Sequence, residues 1–133
     1  MSRPAHHSVS VDRVRGVLIG TMIGDALGMP FEGMPRDAIL ARHGEPREML
    51  EARLGRGTYT DDTQMALALA EALIDSPGRL DRDRVAARFA ERYDPARGYG
   101  ANTRRVLEAI RRGRPWREAA ARHRPPGGSW ANG

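Results

Sequence analysis

The sequence has no cysteine and no lysine, only two Trp, three Tyr and two Phe, and no long uninterrupted apolar run. Without cysteine there are no disulfides, thiolate nucleophiles or Cys-based zinc and iron–sulfur centres. Without an apolar stretch of about 18–20 residues, no segment reads as a bilayer-spanning helix. No alternating apolar–polar pattern of useful length is present, so the fold class is all-α, and no internal repeat is found. Residues 1–10, with His6 and His7, lack the apolar centre of a secretory signal and read as a disordered segment; a cytoplasmic protein is the default expectation.

The missing lysine means that all 22 basic residues are arginine, giving a formal net charge of +5. That usage fits a GC-rich coding bias. A nucleic-acid partner is not favoured, because Arg82, Arg84, Arg88 and Arg92 alternate with Asp81, Asp83 and Glu91 as on a solvated helix face. Nor do the few aromatics form a stacking series beside a basic cluster. A steep salt dependence of DNA affinity is the behaviour that would argue for such a partner.

What is present is a chain of 133 residues, enough for one domain with a modest core. The spacing predicts a helix over Val11 to Met29, carrying Gly16, Gly20, Gly24 and Gly28 on nearly one face. Each glycine costs about 1 kcal/mol against alanine, so the stripe implies that another backbone or a ligand comes close. Gly28-Met29-Pro30 ends that helix, and a short helix over Arg36 to His43 follows. Asp61 to Ile74 is apolar almost all round and reads as a central, buried helix.

Asp81 to Tyr93 reads as a third strong helix burying Val85, Phe89 and Tyr93, and a loop rich in Gly and Pro leads away from it. A further helix capped by Asn102 or Thr103 extends to Arg112, and another runs from Trp116 to Arg122 behind Pro115. The last eleven residues form a turn-rich segment that leads to no element, which suggests an expected C-terminal truncation.

The chemistry concentrates in Gly57-Thr58-Tyr59-Thr60-Asp61-Asp62-Thr63-Gln64-Met65. Adjacent carboxylates repel, and hard cations such as Mg²⁺ take oxygen ligands of this kind. The plain alternative is a solvated helix start, with Thr as cap and Asp at the positive dipole end. Asp25 stands near the C-terminal end of its helix, where a carboxylate is unfavourable. It either belongs to the site or bonds a nearby backbone amide.

Four motifs stand in order: Gly20-Thr21-Met22-Ile23-Gly24-Asp25-Ala26-Leu27-Gly28 with Pro30 and Glu32; the Thr60-Asp61-Asp62 run; Arg97-Gly98-Tyr99-Gly100-Ala101-Asn102-Thr103; and Gly127-Gly128-Ser129-Trp130-Ala131-Asn132-Gly133. Together, over about Val11 to Gly133, they resemble the ADP-ribosylglycohydrolase family, the group related to dinitrogenase reductase-activating glycohydrolase. The resemblance implies an all-α domain holding two Mg²⁺ (or Mn²⁺) ions at the bottom of a cleft. It implies Thr60, Asp61 and Asp62 as metal ligands, with Glu32 and Asp61 as catalytic carboxylates. Asp25 would lie near the metals on the substrate side. Tyr99, Gly100 and Thr103 would border the adenosine or ribose, and Ser129, Asn132 and Gly133 the diphosphate or distal ribose.

The implied activity is hydrolytic removal of ADP-ribose from a modified protein or a small ADP-ribose-containing ligand. Residues 11–133 would be the N-terminal part of the domain, since the family carries a second acidic motif much further along. The alternative is a non-catalytic ADP-ribose-binding or structural derivative of the same fold.

Overall fold

The computed structural model describes residues 10–123, and among them there are helices and turns but no strand. The helices are α1 (Val11–Gly28), α2 (Arg36–His43), α3 (Asp61–Asp75), α4 (Arg82–Glu91), α5 (Ala101–Arg111) and α6 (Trp116–Arg122). Short 3₁₀ turns cover Met29–Phe31 and Pro95–Arg97. The all-α expectation holds. The N-terminal segment before Ser10 and the glycine-rich tail with Ser129, Trp130, Asn132 and Gly133 lie outside the described residues.

Helix α1 starts where Ser10 supplies a side-chain oxygen to the Arg13 amide at 3.3 Å, satisfying one of the open donors of the first turn. It runs straight through Gly16, Gly20 and Gly24. A Cβ at any of these, or at Gly28, would meet nothing within 4 Å. The backbone neighbour implied by the glycine stripe is therefore not among the described residues. Helix α1 docks through its last turn, where Ala26 and Met29 are buried, while Val14, Val17, Ile19 and Ile23 face outward.

Helix α3 packs between α1 and α4, and α5 follows on α4 and then α6 on α5. The expectation that α3 is buried all round needs correction. Ala68 and Ala72 are buried, but Leu69, Leu73 and Ile74 are exposed, because only the side facing α1 and α4 finds partners here. Helix α4 is shorter than its pattern predicts. Asp81 is its cap, accepting from the amides of Asp83 and Arg84 at 3.1 Å each, and Tyr93 lies beyond its end.

The cap of α5 also differs from expectation: Gly100 takes that position, and Asn102 and Thr103 lie inside the first turn. The extended backbone at Gly100 directs its carbonyl to the Arg104 amide at 3.0 Å, so no side-chain cap is used. Helix α6 runs over Trp116–Arg122 as expected, with Pro115 in the cap position before it.

The core gathers Tyr93, Tyr99 and Leu107, with Met65, Phe89 and Ile110 packed against them. The Tyr93 and Tyr99 rings meet edge to face, with centroids 4.9 Å apart, an arrangement that adds about 0.5–1.5 kcal/mol beyond area burial. On the outside, Arg88 bonds Asp75 and Arg92 bonds Glu71, tying α4 to α3. Exposed pairs of this kind contribute little each and act mainly on register. Among the described residues no helix is long and apolar enough to cross a membrane.

Candidate functional site

Asp25, Glu32, Thr60, Asp61 and Asp62 come together where the last turn of α1 meets the first turn of α3. The junction is built by Asp25. Its Oδ2 accepts from the Thr60 amide at 2.8 Å, the Thr63 amide at 3.1 Å and the Thr63 hydroxyl at 2.6 Å. Its Oδ1 accepts from the Thr60 hydroxyl at 2.7 Å. One carboxylate thus supplies, from another helix, the acceptors that a helix N-terminus requires. The bond to nearby backbone amides, open to Asp25 in the sequence, is present, and it places Asp25 beside Thr60 and Asp61.

Thr60 is the α3 cap, and its hydroxyl oxygen also accepts from the Asp62 amide at 3.3 Å. Burial alone would raise the Asp25 pKa, but the bonds from the Thr63 and Thr60 hydroxyls and amides outweigh it and hold the carboxyl below the usual range. Asp25 is therefore ionised and acceptor-only, so the Thr60 hydroxyl must donate to it.

Asp61 and Asp62 experience the opposite balance. Burial pushes Asp61 up; a bond to its own backbone amide offsets part of this, and the charges of Asp62, Glu32 and Asp25 add to the rise. Asp62 is raised by burial and then by the Asp25 and Glu32 charges. Asp61 is buried and Asp62 is open to solvent. Among the described residues no group of three or more His, Asp or Glu side chains is close enough to hold a metal ion.

Glu32 stands exposed just past the Met29–Phe31 turn, where Gly33 takes a left-handed conformation at φ 78°. Its carboxylate is bonded by Arg53 at 2.5 Å. Tyr99 is 3% exposed and belongs to the core; burial, then the charges of Asp61 and Asp94, push its hydroxyl up to about 12. Gly100 and Thr103 follow it at the start of α5, Thr103 half-buried. Ser129, Asn132 and Gly133 fall outside the described residues.

Three contributors carried no sequence-level role. Thr63 gives Asp25 two of its four bonds and is a turn away from Thr60, a spacing that could have flagged it. Arg97 lies 4.1 Å over the Tyr59 ring and donates to the Tyr59 carbonyl at 3.1 Å, joining the Tyr99 loop to the lead-in of α3. Arg53 sits in a stretch without periodicity, and no local signal marks it.

A profile described as ADP-ribosylglycohydrolase matches residues 6–133. The ADP-ribosylarginine hydrolase Tri1 of Serratia proteamaculans is 37% identical over 121 residues, covering 82% of this chain and 31% of that protein. The ADP-ribosylhydrolase ARH3 of Danio rerio is 36% identical over 105 residues, covering 75% of this chain and 28% of that protein. The ADP-ribosyl-[dinitrogen reductase] glycohydrolase of Rhodospirillum rubrum is 38% identical over 93 residues, covering 68% of this chain and 30% of that protein. The chain spans about a third of the length of these curated relatives.

Proposed function

The chain belongs to the ADP-ribosylglycohydrolase family, and from that premise we propose that its residues serve a Mg²⁺-dependent hydrolase that removes ADP-ribose from a modified protein or another acceptor. The bond cleaved is the glycosidic bond of the ADP-ribosyl group. The relatives named ADP-ribosylarginine hydrolase and ADP-ribosyl-[dinitrogen reductase] glycohydrolase support an ADP-ribosylated protein as the substrate class.

The observation that carries the reading is the pair Asp61 and Asp62 at the capped start of α3. Both hold protons more tightly than an ordinary carboxyl because burial and neighbouring charge penalise their ionised forms. Asp25 does not relieve them, since it is itself anionic and committed to Thr60 and Thr63. A cation would relieve the repulsion. The donors fit a hard dication in kind: two carboxylates, and a Thr60 hydroxyl with one lone pair used by the Asp62 amide and one left over. They make up part of a coordination shell, not all of it.

When bound, such an ion supplies Lewis-acid polarisation and orientation of ribose hydroxyls. Thr60, Asp61 and Asp62 would hold it. Asp25 fixes the start of α3, so that these three oxygen sources keep one geometry. The Glu32 carboxylate, at the open side of the cluster, would accept a proton from an attacking water. The anionic surroundings would stabilise the positive charge that develops on the sugar as the glycosidic bond breaks. Tyr99, Gly100 and Thr103 would border the adenosine or ribose, with Ser129, Asn132 and Gly133 assigned to the diphosphate or distal ribose.

Calorimetric titration of ADP-ribose into the 133-residue chain with Mg²⁺, with Mn²⁺ and with EDTA, beside Asp61→Asn, tests the reading. Metal-dependent binding that the substitution abolishes is the expected result. Binding that persists in EDTA would point to the non-catalytic alternative. No binding by a chain of full helicity would refute ADP-ribose recognition by these residues.

A further inference from the structure

Arg53 touches two turns that flank the acid cluster and belongs to neither. Its Nη2 donates to Glu32 Oε2 at 2.5 Å. The same guanidinium lies against Gly98, whose φ of 95° favours glycine. A Cβ at position 98 would stand 2.7 Å from Nη2 and 2.9 Å from Cζ, and nearer still to Nη1, so a side chain there would displace the guanidinium from this seat. Both turns lie close to the acids. Glu32 adds its charge to Asp61 and Asp62, and Tyr99, adjacent to Gly98, feels the charge of Asp61.

We propose that Arg53 is a positioning residue: a latch that fastens the Glu32 turn to the Gly98 turn across the open side of the acid cluster. It neutralises Glu32 until an arriving cation or ligand draws that carboxylate away. The proposal rests on the reading of the acids as a cation and ADP-ribose site. A planar guanidinium suits the task, because it can lie flat on a glycine peptide while bonding a carboxylate, which an ammonium cannot do.

The contact is also of a useful strength. The side chains of Arg53 and Glu32 are 44% and 62% exposed. A pair so open to water biases an equilibrium by about fivefold at most, which is about 1 kcal/mol. The latch therefore orders the empty site and is easily displaced.

Amide hydrogen exchange on the ligand-free 133-residue chain tests the latch directly. The reporters are the Glu32 and Met34 amides, bonded to Met29 and Phe31, and the Arg97 amide, bonded to Asp94. Arg53→Ala and Glu32→Gln should each speed exchange in both turns about two- to fivefold, and the double variant no further than either. Arg53→Lys, which keeps the charge and loses the plane, should fall between. Acceleration confined to one turn, or additive effects of the two substitutions, would overturn the proposal.

A second arm titrates Mg²⁺ alone. With Arg53 removed, the freed Glu32 charge should tighten Mg²⁺ binding about two- to fivefold, and Glu32→Gln should cancel the gain. A gain that survives Glu32→Gln refutes the latch, as would a loss of affinity. If the unsubstituted chain binds no Mg²⁺, the functional reading fails, and the exchange result alone decides the latch.

Discussion

Removing the Asp25 carboxylate should unfasten the start of α3. Four donors converge on this group, two of them backbone amides of Thr60 and Thr63. A hydrogen bond to a charged partner contributes about 1.5–3 kcal/mol, and a donor stranded without a partner costs about 1–3 kcal/mol. Simple addition overstates the loss, because the carboxylate is only half-buried and water can replace part of its role. We expect Asp25→Ala to cost about 2–4 kcal/mol. Asp25→Asn keeps one oxygen for the three donors now on Oδ2 and loses charge, so about 1–2 kcal/mol is expected.

Urea denaturation followed by circular dichroism reads both values as shifts in midpoint at constant slope. The pH dependence gives an independent check. The folded-state pKa of Asp25 lies below its ordinary value of 3.8, so its contribution is present above that value and is lost as pH falls through the folded pKa. The Asn variant should lack this component of acid destabilisation. An Asp25→Ala chain within about 0.5 kcal/mol of the unsubstituted one, the usual span for surface changes, would refute the claim that Asp25 anchors α3.

Asp61→Asn should have the opposite sign. The raised pKa of Asp61 means that its favourable contribution is present below 3.8 and is lost as pH rises through the folded pKa, so without metal the variant should melt higher at pH 7; a lower Tm would contradict the electrostatic account. Tyr99→Phe keeps the ring against Tyr93 and should change stability by less than about 1 kcal/mol, whereas Tyr99→Ala should cost about 3–5 kcal/mol. Ultraviolet titration should place the Tyr99 phenol near its expected value of about 12, and a tyrosine titrating near 10 in that position would show the ring to be less buried than described.

Helical periodicity and breakers made most elements legible. The short helix Arg36–His43 and the helix Trp116–Arg122 appear with the bounds their patterns imply, and α3 starts at Asp61 behind a Thr60 cap as expected. Burial was less legible. Leucine spacing says which residues prefer to be covered, but not whether a partner helix arrives, and so Leu69, Leu73 and Ile74 read as core yet lie exposed. The same limit applies to the Gly16–Gly28 stripe, because small residues permit close approach without supplying the neighbour. Among the candidate site residues, the adjacency of Asp61 and Asp62 is plain in the sequence. Arg53 could not, since its significance comes from two turns that meet only in the folded chain.

Three aspartates of one junction, equal in the sequence, are separated by hydrogen-bond donors. Asp25 takes both amides and both hydroxyls from Thr60 and Thr63, and this fixes its charge. The proton affinities of Asp61 and Asp62 are raised first by burial and then by neighbouring charges, that of Asp25 among them. A helix start designed for stability alone would divide its donors among its own acids. Here one acid from another helix takes four of them, while burial and neighbouring charge penalise the ionised forms of Asp61 and Asp62. Those four bonds stabilise the start of α3, and under the proposed function the charge they fix would also favour a cation beside Asp61 and Asp62. Asp25→Asn should therefore weaken α3 and, by removing a negative charge beside Asp61 and Asp62, also lower the affinity for Mg²⁺ in a calorimetric titration.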